Sequence, residues 1–263
     1  MKITTWNVNS VRLRIDLVKR LSDEIAPDVL CLQETKVRDE QYPADDLKAM
    51  GYVHQAISGM KSYNGVAILS RLPLKDAGSE DWCGRSDCRH IFATAPGGIE
   101  IHNFYVPAGG DEPDPAINDK FAHKLQFLTD TAAWCRDRRD AKAKRVLVGD
   151  LNIAPLENDV WSHKQLLKIV SHTPVEVEHL ARLQEAGPWI DAVRHFVPDG
   201  EKLYSWWSYR AADWSAADKG RRLDHIWVTP PLTKKLKSAT VLRDARGWTQ
   251  PSDHAPVTVE LNV

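Results

Sequence analysis

Two short motifs, far apart in the chain, carry residue types that can handle phosphate esters. Val148-Gly149-Asp150-Leu151-Asn152 places a carboxylate and an amide two residues apart at the end of an apolar run. Ser252-Asp253-His254 places a carboxylate next to an imidazole. Together with Gln33-Glu34 near the start of the chain, these motifs predict a divided site for a metal ion and a phosphate.

The acids and the amide of these motifs are hard oxygen donors, which suit Mg²⁺ or Mn²⁺. The donors belong to Glu34, Asp150, Asn152 and Asp253. A cation offsets charge on a phosphate ester, and hydrolysis also needs a positioned water. Asp150 is the candidate base, and Asn152 is the candidate group that orients the water or a phosphate oxygen. The set predicts a metal-dependent phosphoesterase.

His254 can donate a hydrogen bond to a phosphoryl oxygen, best when a carboxylate fixes its tautomer and supports its charge. Two acids are candidates for that role, Asp253 and Asp224. Adjacent side chains on an extended segment point to opposite faces, so Asp253 is poorly placed to contact His254. We therefore expect Asp224 to orient His254.

Two other chemistries are disfavoured. A serine-type triad is disfavoured because the sequence has no GxSxG elbow, the motif that would present the nucleophilic serine. Zinc at Cys83 and Cys88, with His90 close by, lacks a second pair of ligands. We expect the four cysteines to be free thiols of a reducing compartment.

The bulk composition suits a globular protein. With 263 residues and 43% hydrophobic content, we expect one domain spanning residues 1–263. The N-terminus reads as a strand rather than a signal peptide, and no apolar run is long enough for a membrane span, so we expect a cytoplasmic protein without membrane contact. The net charge of −1 counts mildly against a nucleic-acid binder, although local basic groups occur, as at Arg221 and Arg222.

Short apolar runs alternate with helical patterns, which predicts an α/β fold. Lys2–Asn7 is β-prone, and Asn9-Ser10 is expected to cap a helix that Pro27 ends. A second helix is predicted over Asn118–Arg138, with Asn118 as its N-cap. The further predicted strands are Asp28–Glu34, Gly65–Ser70, Ile99–Val106, Val146–Gly149, Ile226–Thr229 and Val257–Leu261. Because Asn7, Glu34 and Asp150 fall at strand ends, we expect them to meet in a crevice.

Seven segments occur in an order that resembles one family. They are Thr5–Arg12, Cys31–Lys36, Tyr63–Ile68, Asn103–Pro107, Gly149–Asn152, Arg222–His225 and Ser252–Pro256. The chain resembles the exonuclease III family of abasic-site (AP) endonucleases, within the wider endonuclease/exonuclease/phosphatase superfamily. The resemblance runs from Met1 to Val263, and the Leu32–Val37 and Tyr204–Arg210 segments are closest to the DNA-repair branch.

The resemblance implies a four-layer α/β sandwich of DNase I type, in which two mixed β-sheets pack face to face with helices outside. It also implies Mg²⁺-dependent hydrolysis of the DNA backbone 5′ to abasic sites, leaving a 3′-hydroxyl. Exonuclease activity in the 3′→5′ direction and cleaning of blocked 3′ ends are the related activities. The expected partner is double-stranded DNA with abasic sites or 3′ blocking groups, bound at the nucleoid by a monomer.

The resemblance also implies residue roles. The implied metal-site residues are Glu34, Asn7 and Asp253. The implied catalytic residues are Asp150, Asn152, His254, Tyr105 and Asp224. The implied substrate-binding residues are Asn9, Trp206, Leu223, Arg210 and Asn64.

An apolar pocket at Trp206 and Leu223 would accept a flipped deoxyribose that has lost its base, and Arg210 would enter the duplex nearby. Some positions depart from the family pattern. Asn9 stands where some relatives carry Asp, and Arg221 stands where some carry an aromatic residue, which implies a different pocket wall. Gly109-Gly110 lacks a basic side chain that some relatives insert into DNA.

Two alternatives remain. One is another metal-dependent phosphoesterase or a nonspecific nuclease of the same superfamily. The other is a catalytically inactive DNA-binding or scaffold protein, which the intact set of motif acids disfavours.

Overall fold

The computed structural model describes residues 1–263. Its strands are β1 (Lys2–Asn7), β2 (Val29–Gln33), β3 (His54–Ser58), β4 (Val66–Ser70), β5 (Lys75–Gly78), β6 (His90–Ala95), β7 (Ile99–Tyr105), β8 (Lys144–Asp150), β9 (Ile190–Asp191), β10 (Trp206–Trp207), β11 (Gly220–Arg221), β12 (Asp224–Val228), β13 (Leu236–Val241) and β14 (Val257–Leu261). Two six-stranded mixed sheets have the orders β13-β14-β1-β2-β4-β3 and β5-β6-β7-β8-β12-β9, while β10 and β11 form a separate pair.

The structure has seven α-helices. They are α1 (Ile15–Ile25), α2 (Ala44–Ala49), α3 (Asp119–Asp137), α4 (His163–Leu166), α5 (Pro174–Ala186), α6 (Trp214–Ala217) and α7 (Pro230–Thr233). None of them combines the length and the apolar character that crossing a membrane requires.

The core divides into layers that follow the alternation of side chains along each strand. The largest cluster joins the inner faces of the sheets, with Val29 and Ile68 from one sheet and Val146 and Ile226 from the other. A second cluster packs α1 on the outside of the first sheet. A third packs α3 and α5 on the outside of the second sheet. The predicted four-layer α/β sandwich is confirmed.

One predicted helix cap is present and the other is wrong. The side chain of Asn118 accepts hydrogen bonds from the backbone of Lys120 and Phe121 and so caps α3 as predicted. Asn9 and Ser10 do not cap α1, which begins only at Ile15. Both have positive φ angles, 47° and 85°, and the Ser10 N–H donates to the Glu34 carbonyl. This segment pairs with the loop after β2 and cannot open a helix.

Strand register brings the polar strand ends together. On β8, Asp150 lies opposite Tyr105 of the parallel neighbour β7 and opposite Asp224 of the antiparallel neighbour β12. In the other sheet, Asn7 at the end of β1 lies beside Gln33 at the end of β2. Because the sheets pack face to face, these ends meet at one edge of the sandwich.

Candidate active site

Asp150 lies at the centre of the site and is held by neighbouring amides. One carboxylate oxygen accepts the backbone N–H of Asn152 at 3.0 Å, and the other accepts Asn7 Nδ2 at 2.9 Å. The chain turns at Asn152, which has a φ of 54°. The turn follows a close approach at Gly149, where an added Cβ would lie 1.9 Å from the Phe104 carbonyl oxygen. A glycine is therefore required before Asp150.

His254 is bound to Asp224, as the sequence predicted. The Nδ1 atom of His254 lies 2.8 Å from Asp224 Oδ2, and Nε2 lies 3.6 Å from Asp150 Oδ2. The Ser205 hydroxyl donates to the same Asp224 oxygen at 2.6 Å. Burial acts to lower the pKa of His254, but the charges of Asp224 and Asp150 outweigh burial and raise that pKa to about 10. His254 is therefore an imidazolium at neutral pH.

Asp253 points away from its neighbour His254. Its Oδ2 accepts the indole N–H of Trp206 at 2.9 Å, and its Oδ1 lies 3.4 Å from Asn9 Nδ2. The short strand β10 runs beside this segment, since the backbone N–H of Trp207 donates to the Asp253 carbonyl. Asp253 thus fixes the orientation of the Trp206 ring.

Glu34 is a further acid of the site. Its Oε1 accepts Asn7 Nδ2 at 2.8 Å and the Tyr105 hydroxyl at 2.9 Å, while Oε2 pairs with Lys36 Nζ at 2.6 Å. Burial acts to raise the pKa of Glu34, but the charge of Lys36 and the bond from Asn7 lower it overall. Burial and the Glu34 charge raise the pKa of Tyr105, which stays a protonated donor.

These groups line a single pocket of about 550 Å³. Its lining includes nine of the predicted site residues: Glu34, Tyr105, Asp150, Asn152, Trp206, Arg210, Leu223, Asp253 and His254. The other four lie outside the lining. Asn7 bridges Glu34 and Asp150 from behind, and Asp224 supports His254.

The last two lie further from the floor of the pocket. Asn9 lies beside Lys36, whose ammonium contacts its Oδ1 at 2.7 Å. Asn64 donates to the Asp87 carbonyl at 2.8 Å and so ties two loops together.

Three further residues support the site and were not identified from the sequence. Ser205 holds Asp224, as described above. The ammonium of Lys124 donates to the Asn152 carbonyl at 2.8 Å and pairs with the buried Glu176. The pattern Thr173-x-x-Glu176 marks the start of α5, where it forms a capping box. Nothing in this sequence pattern indicates that Glu176 also holds Lys124 next to the active site.

The carboxylates of the pocket offer oxygen donors of the kind that a hard cation binds. Asp150, Asp224 and His254 do offer ligand atoms within 4.8 Å of one another. However, Nδ1 of His254 is already bound to Asp224, and an imidazolium has no free lone pair for a metal. Glu34 and Asp253 line the pocket with carboxylate oxygens, which are the donors that Mg²⁺ and Mn²⁺ prefer.

Known proteins are similar over the whole chain. A model described as the Endonuclease/Exonuclease/phosphatase family matches residues 4–254. Exodeoxyribonuclease III of Haemophilus influenzae is 30% identical over 276 aligned positions, covering 99% of this chain and 100% of that protein. An AP endonuclease structure from Archaeoglobus fulgidus superposes with a TM-score of 0.92 at 33% identity, with all of both chains covered. The 3′ phosphatase NExo from Neisseria, bound to a product DNA hairpin, superposes with a TM-score of 0.91 at 35% identity and the same coverage.

Proposed function

Because the chain belongs to the endonuclease/exonuclease/phosphatase family and is a DNA-repair nuclease of exonuclease III type, we propose that it cuts the DNA backbone 5′ to abasic sites. The observation that supports this proposal is the composition of one pocket. The imidazole of His254, which Asp224 supports, and the carboxylate of Asp150 line the same pocket as Trp206 and Leu223, which form its apolar wall. Phosphate chemistry and recognition of a bare sugar thus have room in the same cavity.

The sugar is the part of the substrate that the apolar wall would receive. Trp206 is held by Asp253, and Leu223 is buried behind it. A deoxyribose without its base offers a small apolar face and is easily extruded from the duplex. Arg210, exposed at the pocket rim, enters the duplex, while Asn9 and Asn64 contact the backbone of the bound strand.

The chemistry divides among the polar residues of the pocket. Asp150 accepts a proton from the attacking water or aligns it, and burial raises its pKa toward the range useful to a base. Asn152 orients the water. The imidazolium of His254 donates to a phosphoryl oxygen as negative charge grows there, and the Tyr105 hydroxyl donates to another.

The enzymes of this family are metal-dependent, and we assign the cation as Mg²⁺, with Mn²⁺ as a substitute. Glu34 and Asp253 would hold it, with Asn7 fixing the Glu34 carboxylate. When bound, the cation supplies charge neutralisation at the scissile phosphate. Lys36 contacts the same carboxylate and keeps it ionised for that purpose.

The deciding experiment offers the purified protein two substrates, a duplex with one internal abasic analogue and an undamaged duplex with a recessed 3′ end. Each is tested with Mg²⁺ and with a chelator. Incision of the abasic strand that depends on Mg²⁺ is the expected result. Absence of that incision would refute the proposal.

The second activity follows from the likeness to a 3′ phosphatase. The same pocket would take a blocked or unpaired 3′ terminus, which gives 3′→5′ exonuclease and end-cleaning activity. The ratio of rates on the two duplexes measures the balance between endonuclease and exonuclease activity. Equal cutting at abasic and undamaged internal positions would instead identify a nonspecific nuclease of the same family.

A further inference from the structure

Arg89 lies beside Tyr105 at the end of two paired strands. It directly precedes β6, and β6 pairs with β7 in a register that sets His90 opposite Phe104. One position further along, the backbone N–H of Tyr105 donates to the Arg89 carbonyl at 2.8 Å. Strand pairing therefore fixes Arg89 next to a residue of the pocket, although Arg89 itself does not line the pocket.

The side chain of Arg89 returns to the same tyrosine. Its guanidinium carbon lies 4.9 Å from the centre of the Tyr105 ring, and Nη1 donates to the Tyr105 carbonyl at 3.3 Å. The negative face of an aromatic ring attracts a cation, and the attraction is strongest where water is excluded. Only 13% of the Arg89 side chain is exposed. The guanidinium therefore restrains the tilt of the ring.

A second contact fixes the guanidinium from its other side. Nε of Arg89 pairs with the Asp87 carboxylate, and the Asp87 carbonyl accepts Asn64 Nδ2 at 2.8 Å. An arginine held by a carboxylate, a carbonyl and an aromatic face keeps little freedom of its own. Arg89 thus joins the loop before β6 to Tyr105 through well-defined contacts.

The far end of the Tyr105 side chain reaches the pocket. Its hydroxyl donates to Glu34 Oε1 at 2.9 Å. Because the hydroxyl is the atom furthest from the backbone, a small tilt of the ring displaces it most. Misplacement of a catalytic group by about 1 Å can lower a rate by about 10²-fold.

We propose that Arg89 is a positioning residue, which acts through Tyr105 and aims its hydroxyl at the scissile phosphate. The inference rests on the proposed function, which assigns that hydroxyl to a phosphoryl oxygen. A duplex contacts a protein at many points, so its binding hardly depends on one hydroxyl. Stabilisation of the transition state does depend on the alignment of that hydroxyl. Loss of Arg89 should therefore lower kcat and leave KM nearly unchanged.

The test is a double-mutant cycle, measured in Mg²⁺ on the duplex with an abasic analogue. It compares the wild type with Arg89→Met, Tyr105→Phe and the variant that carries both substitutions. Arg89→Lys keeps a cation near the ring and tests for rescue. Arg138→Met is the matched control, because Arg138 also pairs with an acid and lies 4.7 Å from the centre of an aromatic ring. That ring belongs to Trp134, which does not line the pocket.

Arg89→Met should lower kcat by about 5- to 30-fold, the value of a desolvated cation–π contact, and change KM by less than about 2-fold. In the Tyr105→Phe background, the same substitution should change kcat by less than about 2-fold, because the hydroxyl that Arg89 aims is absent. Arg89→Lys should keep most of the wild-type rate, and Arg138→Met should keep all of it.

Equal effects of Arg89→Met with and without the Tyr105 hydroxyl would contradict the assignment, as would a change in KM alone or an equal loss in Arg138→Met. If Arg89→Met does not fold, as circular dichroism would show, Asp87→Asn provides a second cycle. It releases the guanidinium from its other anchor, and its loss of kcat should likewise disappear in the Tyr105→Phe background. A loss that persists there would overturn the proposal.

Failure of the proposed function has a different signature. A wild-type protein that cuts the recessed 3′ end but no abasic duplex would refute that function, and the cycle would then be measured on the recessed end. A wild-type protein that cuts neither substrate would refute both the proposed function and the role of Arg89.

Discussion

The imidazole of His254 binds Asp224, 30 positions away in sequence, at 2.8 Å, while its neighbour Asp253 faces the indole of Trp206. The two acids therefore have separate effects. Asp224 keeps His254 charged and oriented, and Asp253 orients the Trp206 ring and is proposed to bind the cation.

Asp224→Asn should keep the shape of the site and remove the charge that stabilises the imidazolium. We expect abasic-site cleavage to fall by about 10² to 10⁴-fold. The pH at which activity declines on the alkaline side should also move to lower values. Steady-state rates between neutral and alkaline pH measure both effects, with circular dichroism as the control for folding. A near-normal rate and pH profile would remove Asp224 from its assigned role.

The folded protein should lose stability as the pH rises above neutral. The pKa of His254 is raised from 6.5 to about 10 by Asp224 and Asp150, in spite of burial. A group whose pKa is higher in the folded state than in the unfolded state stabilises the fold fully at pH values below its unfolded pKa. For His254, that stabilisation disappears between about pH 6.5 and pH 10. Thermal unfolding in the presence of a chelator should show this decrease of stability with rising pH in the wild type. The slope of stability against pH should be smaller in His254→Asn. Parallel slopes would contradict the prediction.

The buried pair of Lys124 and Glu176 should couple stability to activity. Lys124→Met leaves the Glu176 carboxylate without its cation and should cost about 3–5 kcal/mol in the free energy of unfolding. It also removes the donor to the Asn152 carbonyl, so kcat should fall. The double variant Lys124→Met/Glu176→Leu should regain much of the stability without regaining kcat. If both recover together, Lys124 has only a structural role.

Trp206→Ala should reduce both cleavage of an abasic site and affinity for it. Loss of the apolar wall predicts a decrease of about 10- to 100-fold in kcat/KM. Phe196→Ala is the matched control, because Phe196 is a partly exposed aromatic residue that does not line the pocket. Equal effects of the two truncations would argue against a sugar pocket at Trp206.

Glu34→Gln should raise the Mg²⁺ concentration needed for half-maximal activity. The substitution keeps the size of the side chain but removes the charge that attracts a cation and pairs with Lys36. Titration of activity with Mg²⁺, and of the apo protein with Mn²⁺ by calorimetry, would measure the change. An unaltered metal dependence would move the cation away from Glu34.

Several buried strands were predictable, whereas the interior strand β6 (His90–Ala95) and the edge strands β5 and β13 were missed. Val146–Gly149 reads clearly because β8 is central and apolar on both faces. By contrast, β5 (Lys75–Gly78) is largely exposed, and β13 (Leu236–Val241) has a mixed burial pattern. Neither sequence shows the alternation of apolar and polar residues that is typical of a strand. Each segment becomes a strand by pairing with its neighbour rather than through its own apolar content.

The sequence by itself determined the family, the α/β sandwich and nine of the 19 residues that line the pocket, because catalytic groups at strand ends stand in short local motifs. Only the tertiary structure decided that Lys124 donates to the Asn152 carbonyl and that Ser205 holds Asp224. Such relationships depend on strand register and on the direction of side chains across packed layers. Local spacing does not encode either one, because both arise from contacts between segments far apart in the chain.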